Sequence, residues 1–211
     1  MSGMAAILIG YLLGSISFSM IIGRYFAGID IRDHGSGNAG ATNTLRVLGP
    51  KWAATVLLLD LMKGVFAVLI ARWIGATDTF VVLTGVAVIA GHNWPLFFNF
   101  RGGKGVATTI GVMFSLLPLE ATAAAIIGLI VLAFTRYVSL GSMVFATLIP
   151  LLIVLAETMF DWEISRAYLV FSVVAAVMTI WRHRANIGRI AKGNESKLGA
   201  KRQGQQPSPR A

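Results

Sequence analysis

The stretch NFRGGKGVATT, Asn99 to Thr109, separates two long apolar runs. No Asp, Glu, Lys or Arg occurs from Phe80 to Phe98 before it, or from Val106 to Leu119 after it. Runs that approach roughly 18–20 apolar residues are long enough to span a bilayer. The flanks therefore predict membrane helices, and Gly102, Gly103, Lys104 and Gly105 form the break between them. Glycines ahead of a helix leave backbone N–H groups bare, and the helix N-terminus carries partial positive charge. With the full charge of Lys104, this break favours an anion. It is not a Walker A loop, because Phe98 and Gly105 stand where Gly and Ser or Thr are needed.

The whole chain follows the same pattern. It has 211 residues, a mean hydropathy of +0.74 and 13% charged residues, against about 25% in an ordinary soluble domain. Residues 1–192 read as one integral membrane domain, and 193–211 as a disordered basic cytoplasmic tail. Met1 to Ile22 lacks a basic leading region and a clear cleavage site, so it reads as a span and not as a removable leader. There are no cysteines, so no thiolate metal site or cysteine-linked intermediate is available. Three scattered histidines give no metal-ligand spacing, and no cofactor is implied.

The expected fold is an all-α, polytopic membrane helix bundle. Seven apolar segments are predicted, at about 4–24, 52–74, 79–98, 105–118, 119–135, 139–157 and 166–182. The fourth and fifth are short, which allows five to seven crossings. The loops alternate so that one side holds all but three of the 18 Lys and Arg residues. The exceptions are Arg72, Arg166 and Lys63, the last within the second segment. The positive-inside rule places the basic side in the cytoplasm, the N-terminus outside and the C-terminus inside. This placement also accounts for the net charge of +9 without nucleic acid. Gly10 and Gly14, in the first segment, have the spacing that lets helices pack closely in lipid.

Three polar islands fall on the basic side. The first, His34 to Arg46, reads HGSGNAGATNTLR. Its hydroxyls and amides suit an oxygen-rich ligand, and Arg46 can clamp a phosphate through two hydrogen bonds. The second is the opening stretch, preceded by Trp94, Phe97, Phe98 and Phe100, aromatics that seat a loop at the membrane surface. The third, Arg182 to Glu195, carries His183 and Asn186 three residues apart, on one face if helical. Asp60 and Lys63 share that spacing inside the second segment and read as a structural pair supporting the first island. Ser139 and Ser142 open the sixth segment as caps or ligand contacts. Together the islands imply an amphiphile with a phosphate, meeting a second phosphate-bearing molecule from the cytoplasm.

The motifs GSGNAGATNTLR, LLLDLMKG, GHNWPLFFNFRGGKGVAT, RYVSLGSM and RHRANIGRIAKGNE occur in that order between about residues 7 and 195. In this the chain resembles the bacterial membrane glycerol-3-phosphate acyltransferases that use acyl phosphate, the PlsY family. The resemblance implies a multi-pass protein of the bacterial plasma (inner) membrane whose active site faces the cytoplasm. The implied reaction is acyl transfer from acyl phosphate to the 1-hydroxyl of glycerol 3-phosphate, giving lysophosphatidic acid and phosphate. The implied catalytic residues are Ser36, Arg46, Lys104, His183 and Asn186. Substrate binding is expected of Asn38, Gly40, Thr42, Asn43, Gly102, Gly103, Gly105, Val106, Ala107, Thr108 and Ser142. Asp60, Lys63 and Glu195 are expected to be structural.

Many glycerolipid acyltransferases use a His-x4-Asp pair, but the residues five beyond His34, His92 and His183 are Ala39, Phe97 and Gly188. Direct transfer from the already activated donor is therefore expected, and the resemblance implies that a phosphate oxygen of the donor takes the hydroxyl proton; an acyl-enzyme on Ser36 is the rival. The competing class is a membrane transporter for phosphate or a phosphorylated metabolite. Transporters usually place their site at the bilayer midplane between repeated halves, whereas these islands gather at one face.

Overall fold

The structure is a computed structural model that describes residues 1–199. Ten α-helices follow in order: α1 Ser2–Ser15, α2 Phe18–Ala27, α3 Ala41–Leu48, α4 Pro50–Trp73, α5 Asp78–Asn93, α6 Val106–Leu116, α7 Pro118–Thr135, α8 Val138–Phe160, α9 Arg166–Arg182 and α10 Arg184–Ala191. No strand occurs among the described residues. Among the described residues, five segments are long and apolar enough to cross a membrane: Ser2–Ala27, Pro50–Trp73, Asp78–Phe98, Pro118–Thr135 and Val138–Phe160. At 1.5 Å per residue, the 11 residues of α6 reach only about half of a ~30 Å hydrocarbon core.

Six of the seven expected segments appear within a few residues of their expected limits. The first differs. Ile16 and Ser17 are extended and divide it into α1 and α2. A break in apolar surroundings strands backbone carbonyls that nothing in lipid can satisfy. Lys63 Nζ resolves this by donating to the carbonyls of Gly14 at 3.0 Å and Ile16 at 2.9 Å. The ion pair with Asp60 forms as expected, at 3.0 Å. Through Lys63 it supports this break, and its Asp60 faces His92 beneath Gly103.

Close backbone contact, enabled by small residues, holds the helices together. A Cβ at Gly14 would meet the Val88 backbone, and one at Gly91 would meet Tyr11 and Ser15, so α1 and α5 touch backbone to backbone. Gly64 and Gly111 join α4 to α6 in the same way, and Gly128 and Gly141 join α7 to α8. The main core runs through α1 and α4–α9 and includes Val68, Val88, Met113, Ile149 and Phe171. A smaller cluster of Met20, Ile31 and Ala39, backed by Val47, Leu48 and Phe98, supports the first island.

The bundle has two distinct ends. At one, Arg72 lies near the Tyr168 hydroxyl, which donates to Asp78, and Arg166 pairs with Glu157. The three islands gather at the other. Residues 193–199, expected to be part of the tail, fold against this second end. The Leu198 N–H donates to the Arg136 carbonyl at 2.7 Å, and the Arg136 guanidinium donates to the Leu198 carbonyl at 2.7 Å. The reason is Glu195, whose carboxylate is drawn into the bundle by donors from two helices. The rest of the expected tail lies outside the described residues.

Candidate active site

The first island is a loop buckled by one side chain. Asn43 Oδ1 accepts from the Ser36 N–H at 2.7 Å and the Ser36 hydroxyl at 3.1 Å. Its Nδ2 donates to the carbonyls of Ile31 and His34. The four bonds fill the capacity of the amide, and Asn43 is 1% exposed. Asn43, expected to bind substrate, instead shapes the loop that presents Ser36. Thr44 Oγ1 bonds back to the Gly40 carbonyl, and α3 then carries Arg46, an exposed side chain whose charge acts on Lys104.

Arg32 fastens this island to the second. It pairs with Asp30 at 2.7 Å and donates to the carbonyls of Phe98 at 2.9 Å and Arg101 at 3.1 Å. The Arg32 guanidinium holds the Asp30 carboxyl well below the usual carboxylate range. Closer in, Gly103 packs so tightly that a Cβ would overlap the Ala39 carbonyl and the His92 ring. The glycine loop is held from below by the carbonyls of Asn93 and His92, which accept from the N–H groups of Gly102 and Gly103. It is held from above by Arg182, which donates to the carbonyls of Gly102 at 3.3 Å and Gly103 at 2.5 Å. Gly105, at φ +78°, turns the chain into α6. The first N–H groups of α6 have no acceptor within the helix.

Lys104 links the second island to the third. Its Nζ donates to Asn186 Oδ1 at 2.5 Å, and Asn186 Nδ2 donates to Glu195 Oε1 at 2.6 Å. The same carboxylate accepts from Ser139 at 2.7 Å and Arg189 at 2.8 Å. Burial acts to raise the Glu195 pKa, but the bonds from Ser139, Asn186 and Arg189 outweigh it and keep the group ionised. Burial pushes the Lys104 ammonium down to about 8; Glu195 opposes that shift, while Arg189, Arg46 and Arg182 add to it. Three arginines thus act on Lys104 beside a single carboxylate. That excess of positive charge suits phosphate dianions.

His183 is buried, and its Nδ1 lies 2.8 Å from the Thr179 carbonyl. A carbonyl only accepts, so Nδ1 carries the proton and Nε2 remains an acceptor. Burial, followed by the charge of Lys104, lowers this imidazole to about 4, so it is neutral near pH 7. Ser142 turns its hydroxyl back on the Val138 carbonyl of its own helix, at 2.8 Å. The Thr108 and Thr109 hydroxyls and the Asn93 amide are buried around the start of α6 without hydrogen-bond partners among the described residues. No group of three His, Asp or Glu able to hold a metal occurs among the described residues.

The three islands are therefore brought together. Arg32, Arg182, Arg189 and His92 were not among the expected site residues, and Ser139, expected as a cap or ligand contact, donates to Glu195. The arginines resemble ordinary basic loop residues, and only the spacing of Asp30 and Arg32 hints at a clamp. His92 sits in an apolar run, where a histidine usually reads as core.

Fold and site define a multi-pass, all-helical membrane protein with a cluster of cationic side chains at one end. The family model for glycerol-3-phosphate acyltransferase matches residues 4–193. A glycerol-3-phosphate acyltransferase of Halalkalibacterium halodurans is 51% identical over 195 residues, covering 92% of this chain and 94% of the relative. One of Shouchella clausii is 52% identical over 199 residues, covering 93% and 96%. The crystal structure of PlsY, an integral membrane glycerol 3-phosphate acyltransferase, in its glycerol 3-phosphate form, superposes with a TM-score of 0.87 at 38% identity over 94% of this chain and 96% of that one. Its lysophosphatidic acid form gives 0.83 at 37% identity. The chain belongs to the glycerol-3-phosphate acyltransferase family, in its PlsY branch.

Proposed function

We propose that this protein transfers a fatty acyl group from acyl phosphate to the 1-hydroxyl of glycerol 3-phosphate, releasing lysophosphatidic acid and phosphate at the cytoplasmic face of the bacterial plasma (inner) membrane. The observation that carries the reading is the meeting of Lys104, the bare amides of α6 and Arg46 in one excess of positive charge. Two phosphate-bearing reactants need such a site, and the related PlsY structures were determined in glycerol 3-phosphate and lysophosphatidic acid forms. The glycine loop with Lys104 takes the phosphate of the donor, while Ser36 and Arg46 take the acceptor. Asn186 holds Lys104 in place, and His183 lies close enough for the Lys104 charge to act on it. The concentration of basic residues at the island end favours the cytoplasmic side.

In the chemical step, the acceptor oxygen attacks the donor carbonyl, forming the ester bond as the bond from carbonyl to phosphate oxygen breaks. The hydroxyl proton passes to a phosphate oxygen of the donor, which leaves as inorganic phosphate. The protein supplies proximity, worth roughly 7–11 kcal/mol in favourable cases, and charge neutralisation at the departing phosphate. One contact argues against an acyl-enzyme on Ser36. The hydroxyl of Ser36 donates to an amide oxygen, which does not take up a proton, so nothing there prepares an alkoxide.

The test is product formation by purified protein given glycerol 3-phosphate with palmitoyl phosphate, palmitoyl-CoA or an acyl carrier protein thioester. Turnover with palmitoyl phosphate alone is expected, and equal turnover with a thioester would overturn the donor assignment. Without acceptor, a stoichiometric gain of acyl mass on Ser36 would overturn direct transfer.

A pH dependence follows from Lys104. Its charged form binds the donor phosphate, so kcat/KM for acyl phosphate is expected to fall as pH rises through about 8. Lys104→Arg, which keeps its charge, is expected to flatten that limb even if its overall rate is lower. A wild-type limb that persists in Lys104→Arg would assign it to another group.

A further inference from the structure

Beneath the glycine loop lie three buried ionisable side chains that the reaction above does not use: Asp60, Lys63 and His92. Lys63 closes the break between α1 and α2 and pairs with Asp60 Oδ1. That same oxygen lies 3.5 Å from His92 Nδ1. The pair of Lys63 and Asp60 is already neutral, so charge balance does not require His92. What distinguishes His92 is its other side. Its ring Nε2 lies against Gly103 so closely that a Cβ there would overlap it, and its carbonyl accepts from the Gly103 N–H at 3.1 Å.

The loop at this point is almost pure backbone. Gly102 and Gly103 bring no side chains of their own, so their height is set by what lies under and over them. Arg182 grips their carbonyls from above. From below, the floor under Gly103 is the buried His92 ring, whose Nδ1 faces Asp60 Oδ1 at 3.5 Å. We propose that His92 is a positioning residue for the acyl donor. It sets the height of the Gly102–Gly103 backbone, and so the place where Lys104 and the α6 amides meet the donor phosphate. This rests on the reading of the glycine loop as the donor site. Without the ring, the loop is free to sag into the space left behind, while the acceptor side, buckled separately by Asn43, keeps its shape.

The test is steady-state kinetics of detergent-purified, monodisperse protein, with palmitoyl phosphate and glycerol 3-phosphate varied in turn. His92→Ala is expected to raise KM for palmitoyl phosphate about tenfold or more, leaving KM for glycerol 3-phosphate within about twofold. His92→Asn keeps a donor toward Asp60 but withdraws from Gly103, so it is expected to show the same one-sided rise. It decides the question should the alanine variant not fold. His92→Gln, whose amide extends to the Gly103 side, is expected to recover most of the loss. Equal rises in both KM values, or no rise in His92→Asn, would overturn the role of His92. A wild-type protein inactive with palmitoyl phosphate would instead overturn the donor reading, and this inference with it.

Discussion

Lys104→Ala is expected to lower kcat/KM for acyl phosphate by about 10²–10³-fold, the range seen when one preorganised donor to a developing charge is removed. The magnitude follows from where the ammonium sits. It is half-buried, beside the unpaired amides of α6, and hydrogen-bonded to Asn186 at 2.5 Å. In such surroundings a charge acts through less water than at an open surface, so its loss is felt more strongly. The departing phosphate gains negative charge as the acyl bond breaks, which ties the effect to the transition state and places it in kcat as well as KM. The fold should survive, because Asn186 remains bonded to Glu195 and Glu195 to Ser139 and Arg189. Kinetics together with a melting measurement checks this. A stable variant with a near-normal rate would remove Lys104 from the site, whereas an unstable one would make it a structural residue.

Gly103→Ala is expected to reduce kcat/KM by about 10²-fold or more, on the rule that misplacing reactants by about 1 Å costs a loss of that order. The added methyl would run into the Ala39 carbonyl and the His92 ring. Neither yields easily: the carbonyl belongs to the backbone of the first island, and the ring is buried and held beside Asp60. The glycine loop would have to move, separating the donor and acceptor halves of the site. Both KM values should therefore change, unlike the one-sided effect expected at His92. Gly188→Ala is the matched control. That glycine has open space around it, so the same methyl should leave the rate close to wild type. A Gly103→Ala protein as active as Gly188→Ala would show that the close approach of the islands does not matter for turnover.

The family assignment favours the acyltransferase reading over the transporter reading of the sequence. Within the site, sequence and structure divide the credit by residue. Lys104 and Asn186 were legible because a lysine among glycines and an amide in a basic juxtamembrane stretch are unusual in an apolar chain. Asn43 was legible as important but misread in role, since an asparagine in a glycine-rich loop looks the same whether it faces a ligand or closes the loop. Arg32 and Arg182 were missed because their partners are backbone carbonyls more than 60 positions away, and a carbonyl has no letter in the sequence. The strap at 193–199 reads as tail because its composition is that of a solvated terminus. Glu195, by reaching Ser139 across 56 positions, and Leu198, bonded to Arg136, fold it back.

The sequence by itself determined the helices and the end at which the polar islands collect. In lipid every backbone group must be bonded within its own segment, and the lengths of apolar runs and the placement of charge leave few alternatives. Only the tertiary structure decided that α1 breaks at Ile16, that Lys63 closes the break, and that His92 and Arg182 hold the glycine loop between them. These depend on which backbone carbonyls are left unpaired once the helices pack, a quantity that exists only in three dimensions.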